Sequence, residues 1–164
     1  MDRILIIFLY IFLISIMYID INKKYIPNFL NLILLINAIL IRAVYRPESF
    51  MIGASIFTLP MLFIYGYLSD FLKKEAVGFG DIKLIIALGG LLFTENINLF
   101  LQIYIFYSIS FISAALFILF LTFKNIICKN KNNFKNKELA FSPFICLSFF
   151  IIYNFSDYIY RYLL

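Results

Sequence analysis

Histidine and tryptophan are missing altogether from this 164-residue chain, which holds only two cysteines, four prolines and six glycines. Without histidine there is no Ser-His-Asp or Cys-His catalytic set, no HExxH zinc hydrolase and no His-ligated metal centre. Cys128 and Cys146 lie 18 positions apart and form no CxxC pair. Neither a zinc knuckle nor a redox motif is therefore available, and each thiol reads as a small apolar filler. Charge is scarce as well, at 14% of residues, where an average soluble domain has about 25%. No cofactor and no metal are expected. Any chemistry falls to Asp, Glu, Lys, Ser, Thr or Tyr.

What the chain has is apolar mass. Hydrophobic residues make up 64%, with 21 Phe and 12 Tyr. So few polar side chains cannot cover the surface of a soluble fold of this size, and a disordered chain has the opposite composition. The expectation is an all-α polytopic membrane protein, one membrane-embedded domain over residues 1–164. A helix needs about 20 apolar residues to cross about 30 Å of hydrocarbon. Six stretches qualify in position: Ile4 to Ile19, Phe29 to Val44, Phe50 to Leu72, a short Ile82 to Phe93, a long Leu99 to Phe123, and Leu139 to Tyr160. Short loops take up the rest. The runs are continuous, whereas a β-barrel would alternate. The first stretch lacks the cationic n-region and small-residue site of a signal peptide, so it reads as a retained helix.

The basic residues set an expected orientation. Lys23, Lys24, Lys73, Lys74, Lys83, Lys124, Lys129, Lys131, Lys135 and Lys137 fall on one side; Arg3, Arg42, Arg46 and Arg161 fall on the other. The lysine side is expected to be cytoplasmic, which puts both termini outside. The net charge of +5 then reads as a topology signal, with contact to anionic lipid as a second reading. No basic and aromatic interleaving suits nucleic acid. The Asn- and Lys-rich stretch from Lys124 to Lys137 reads as a cytoplasmic loop, with a docking role as the alternative.

Of the few acids, Asp2, Glu48, Glu95 and Asp157 fall outside and Asp20, Asp70, Glu75, Asp81 and Glu138 inside. Asp20 and Asp81 differ from the rest. Asp20 closes the first span between Ile19 and Ile21, and Asp81 opens the fourth in Gly78-Phe79-Gly80-Asp81-Ile82-Lys83. An ionisable group at the edge of hydrocarbon is a functional candidate. The bland alternatives are a helix N-cap for Asp81 and a solvated helix end for Asp20. Two features weigh against them. Two glycines permit a tight bend or a close chain approach that a cap does not need. The fourth span is also too short to cross alone, so its start is expected in a protein-lined pocket below the headgroups. Two carboxylates in one apolar-walled pocket cannot both ionise easily, so such a pair shares a proton. One can then act as general base on water while the other protonates the carbonyl oxygen or leaving nitrogen. That is aspartyl peptide hydrolysis.

At these residues the chain resembles the type IV prepilin peptidases. Asp20 followed by Ile26-Pro27-Asn28 is similar to their first-aspartate motif, and Gly78-Phe79-Gly80-Asp81-Ile82-Lys83 to their GxGD-x-K motif. Phe141-Ser142-Pro143-Phe144 resembles their late PFGPFL stretch, with Ala140 in place of the first Pro and Ser142 in place of Gly. That departure is expected to touch no catalytic group. The resemblance implies six helices and catalytic Asp20 and Asp81, with Gly78, Gly80, Lys83, Ile26, Pro27, Asn28 and Pro143 as supporting positions. It implies cleavage of the leader of prepilin-like proteins at the cytoplasmic face of the cell membrane, with the substrate's apolar helix in the bilayer and a pilus or secretion machinery as partner. The family's larger members carry an N-terminal domain linked to methylation. This chain looks like the small stand-alone kind, similar to those of tight-adherence (Flp-type) pili or the preflagellin peptidases, and no methyltransferase domain is expected.

Pro27 is expected to start the second span. Asn28 and Asn31 share one helix face and read as interhelical glue. Lys83 either snorkels to the interface or pairs with an active-site acid. Ser110, Ser113 and Ala114 form a small-residue contact patch, and Pro60 is expected to kink the third span. Two other functions fit the composition. One is a small transporter or channel using the same aspartates, although no paired half-helices appear. The other is a non-catalytic pilus-assembly scaffold.

Overall fold

The computed structural model describes residues 2–73, 77–127 and 139–163. Glu75, Cys128, Glu138 and the Asn- and Lys-rich stretch from residue 128 onward lie outside the described residues. The described chain is helical and holds no strand. Its elements are α1 (Asp2–Lys23), α2 (Asn28–Ala38), α3 (Pro47–Phe63), a short α4 (Ser69–Leu72), α5 (Phe79–Leu92), α6 (Leu99–Ile127) and α7 (Ser142–Leu163). A π-helical turn, Ile39–Ala43, extends α2, and a second, Ile64–Leu68, joins α3 to α4. The result is six rods at the six expected places.

Three of these helices are long and apolar enough to cross a membrane: Arg3–Lys23, Pro47–Phe71 and Leu99–Lys124. Asn28–Ala43 and Ser142–Ser156 are shorter apolar helices. The latter ends at a break in α7, where Phe155 leaves helical geometry at φ −119° and ψ 17°. The outward faces carry bare hydrophobic side chains such as Ile7, Ile14 and Tyr18 on α1 and Phe100, Leu119 and Phe120 on α6. A surface this apolar belongs against lipid or protein, not water.

The short helix α5 is the centre of the bundle. It packs against α3, α2 and α7, while α1 lies on α2 and α7, and α6 lies on α7. Ten of its 14 residues are buried. A helix apolar on every side has to be surrounded, and that is the physical meaning of its shortness: at about 21 Å it is a core rod and needs no lipid-facing length. The α3–α5 contact depends on glycine. A Cβ at Gly53 would strike the Gly89 carbonyl and the Phe93 side chain, and a Cβ at Gly89 would come within 2.6 Å of the Phe57 Cβ. Gly90 likewise faces the Phe50 ring. Small residues are how membrane helices approach this closely. The expected small patch on α6 is also used: the Ser110 hydroxyl donates to Ser148 of α7 at 2.7 Å, and Ala114 is buried.

Pro60, expected to kink the third span, lies inside α3, which stays α-helical to Phe63 and then widens into the π turn. The Tyr107 hydroxyl on α6 donates to the Phe57 carbonyl in the turn before the proline and ties α6 to α3. One expectation needs correction: Asp20 does not close α1. The helix runs a turn further to Lys23 and stops because Lys24 turns left-handed, at φ 56°, with its amide donating to the Asp20 carbonyl at 2.8 Å.

Candidate active site

Asp20 and Asp81 come together. One cavity of about 570 Å³ is lined by Asp20, Lys24, Tyr25, Ile26 and Asn28 from the α1–α2 turn, Val77 to Asp81 and Lys83 from the start of α5, and Leu139 to Phe141 before α7. All three stretches singled out in the sequence meet there. The carboxylates are largely buried, at 5% exposure for Asp20 and 8% for Asp81. They lie within electrostatic reach of each other, and the fully buried Cys146 thiol lies within reach of both. Cys146 is a free, buried filler.

Asp81 is not an N-cap. Gly78 holds that position, extended at φ −68° and ψ 134°, and makes no side-chain cap bond. Asp81 is the third residue of α5, with its amide bonded to the Gly78 carbonyl at 3.0 Å. A carboxylate in the first turn faces the positive end of the helix dipole. Its Oδ1 is buried and has no hydrogen-bond partner among the described residues. Asp20 has the opposite placement, near the negative end of its own helix. There its Oδ2 accepts the backbone N–H of Ser142 at 3.2 Å, so it meets the positive end of α7 instead.

The motif residues around the acids bolt the segments to one another. A Cβ on Gly80 would lie 3.0 Å from the Ile26 Cβ; this glycine lets the α5 entry close onto Ile26, which is buried. Asn31, buried on α2, donates its side-chain N–H to the Gly80 carbonyl at 3.0 Å, the interhelical glue expected of it. Pro27 is the residue just before α2, fixed at φ −61°. Asn28 is exposed at the cavity rim, outside the bundle, and accepts from the Lys83 ammonium at 2.8 Å. Lys83 also sits 5.0 Å from the Phe79 ring centroid. The lysine therefore ties α5 to α2 rather than pairing with either aspartate.

Two findings concern the third motif. The Ser142 backbone amide reaches Asp20, a contact independent of the Ser-for-Gly departure, whose hydroxyl bonds to neither acid. Backbone donors carry no residue signature, so no sequence signal pointed to it. Pro143 lies outside the acid cavity and lines an adjoining apolar groove of about 510 Å³ with Ile21, Phe117, Ile118, Leu121 and Phe144. The groove shares Lys24, Leu139 and Ala140 with the cavity. Tyr25 was also missed; its place inside the first-aspartate motif was the available signal. Among the described residues no cluster of three or more His, Cys, Asp or Glu side chains could hold a metal ion.

The family model of the type IV leader peptidases matches residues 7–123, a stretch that contains both Asp20 and Asp81. No curated protein and no solved structure matches the chain. The match spans well over half of the sequence, and the chain belongs to the type IV leader peptidase family.

Proposed function

We propose that this leader peptidase is an aspartic endopeptidase that cuts the leader from prepilin-like proteins with Asp20 and Asp81 as its catalytic pair. The observation that carries this reading is the shared cavity: two largely buried carboxylates from different helices open onto one space, and one of their oxygens is unpartnered. A buried polar atom without a partner needs a reason, and a group that must bind water or substrate supplies one. The ionised carboxylate takes a proton from water as the water oxygen attacks the scissile carbonyl. The protonated carboxyl gives its proton to the developing oxyanion, and the departing nitrogen is protonated as the tetrahedral species collapses. Burial strengthens each of these transfers, because little water competes.

The cavity rim carries Lys24 and Lys83, members of the lysine-rich side of the chain. We place that side in the cytoplasm by the charge rule, so the leader is cut at the cytoplasmic face with both termini of the enzyme outside. The apolar groove beside the cavity gives the substrate's own apolar segment a wall to follow from the bilayer to the scissile bond. Co-expression with a small prepilin tests the reading. Mass spectrometry of the recovered substrate should show a new N-terminus after the leader. An intact leader in the presence of correctly inserted enzyme would refute it.

A further inference from the structure

We propose that the backbone amide of Ser142 is a positioning donor that holds Asp20 toward the cavity, and that Pro143 keeps this donor free for the task. The proposal deepens the peptidase reading and rests on it. Four observations carry it.

First, the amide donates to Asp20 Oδ2 at 3.2 Å across 122 positions of sequence. It is the one hydrogen bond of that carboxylate among the described residues. Second, the start of a helix leaves its first N–H groups without intrahelical acceptors, and here they are sorted with little overlap. The amides of Phe144 and Ile145 both turn back to the Phe141 carbonyl, at 3.1 and 3.3 Å. Pro143 has no N–H at all. Ser142 is left as the amide of that first turn directed at the acid, and no second donor alongside can pull the carboxylate sideways. Third, Asp20 sits in the last turns of α1, where its own helix dipole repels a carboxylate; the entry of α7 offsets this with the opposite sign. Fourth, the Ser142 side chain plays no capping part. The residue is fully buried and its Oγ has no hydrogen-bond partner among the described residues. The main chain, not the hydroxyl, makes the contact.

The consequence is that the third motif acts on the first. Leu139, Ala140 and Phe141 wall the cavity, and the next residue fixes the orientation of an acid that came from the opposite end of the chain. A carboxylate free to rotate would lose alignment with water and with Asp81, and small misplacements of catalytic groups are costly.

The test separates N–H from hydroxyl. Ser142→Pro deletes the N–H at a helix position where proline is well tolerated. Incorporating the α-hydroxy acid analogue of serine at position 142 replaces only that N–H with an ester oxygen. Ser142→Ala keeps the N–H and loses the hydroxyl. Purified variants in detergent are assayed on a prepilin substrate for kcat and KM, with thermal melting as the folding control. We expect both N–H deletions to lower kcat about 10- to 100-fold, the range for loss of a hydrogen bond to a charged group, with KM within about twofold and melting preserved. Ser142→Ala should stay at least about tenfold above them in kcat. The proposal is overturned if a folded N–H deletion matches Ser142→Ala, or if Ser142→Ala falls as far as the deletions. If Ser142→Pro fails to fold, the ester variant decides; if both fail to fold, the amide is a structural cap and the proposal falls. A wild-type protein that cuts no prepilin refutes the peptidase reading itself, a result visible before any variant is compared.

Discussion

The two ends of α5 are built on opposite principles. At the C-terminal end, side chains from the surrounding segments close the turn. The Arg42 guanidinium donates to the Leu91 and Phe93 carbonyls, and Ser49 donates to Glu95. Gln102 brackets the turn, accepting from the Thr94 amide at 2.9 Å and donating to the Thr94 and Ile97 carbonyls at 2.7 and 2.9 Å. At the N-terminal end the helix starts without a side-chain cap, an Asp81 oxygen is buried without a partner among the described residues, and a cavity of about 570 Å³ opens beside it. One end of a single rod is finished and the other is left incomplete. Stability and function commonly part in this way, because a fully satisfied site has nothing left with which to bind. Under the proposed function, the Arg42 end anchors the rod and the Asp81 end carries the chemistry.

Substitutions at each end should therefore separate activity from stability. The largest effect falls at the N-terminal end. Asp81→Asn should cut leader removal about a hundred- to ten-thousandfold, given what general acid–base groups contribute, while thermal stability holds or rises because a buried carboxylate is gone. A large loss of stability would erase the contrast. Arg42→Ala should do the reverse. It strips the Leu91 and Phe93 carbonyls of their donor and should cost about 2–4 kcal/mol of stability, read by thermal melting, with kcat per folded molecule little changed. Gly89→Ala tests the rod between the ends. A Cβ within 2.6 Å of the Phe57 Cβ should cost about 1–3 kcal/mol, the usual range for overfilling a close contact. Asn31→Ala should be smallest in stability, about 1 kcal/mol for one lost hydrogen bond. It should still lower kcat about tenfold, because the Gly80 carbonyl it holds belongs to the turn that aims Asp81.

Much of this was legible in the sequence because the chain is so poor in polar residues. Continuous apolar runs mark six rods, and against them Asp20 and Asp81 stand out as ionisable groups at helix boundaries. The GxGD glycines announce a close approach, and Ile26 is what approaches Gly80. What stayed hidden is nonlocal or belongs to the main chain. Arg42 reads as an outer-boundary charge, and nothing in its neighbours says that it closes the end of α5. Gly53 and Gly89 each look like an ordinary small residue until folding stacks α3 on α5. The shortness of the fourth span pointed to a pocket at its start, but the burial of the whole helix and its partners could not be read from periodicity in a helix apolar all round. Asp20 inside α1 rather than at its end depends on Lys24 adopting a left-handed turn, a conformation that sequence would sooner assign to glycine. The Ser142 amide could not be seen, since every residue but proline has one.

The central claim is that Asp20 and Asp81 act as one unit. Its most direct test compares Asp20→Asn, Asp81→Asn and the double variant in single-turnover cleavage of a prepilin, with membrane insertion verified for each. Residues that work as a unit are strongly non-additive. The account predicts that each single variant loses as much activity as the double variant does. A single variant that still removes the leader at the wild-type rate, or two partial losses that multiply in the double variant, would contradict it.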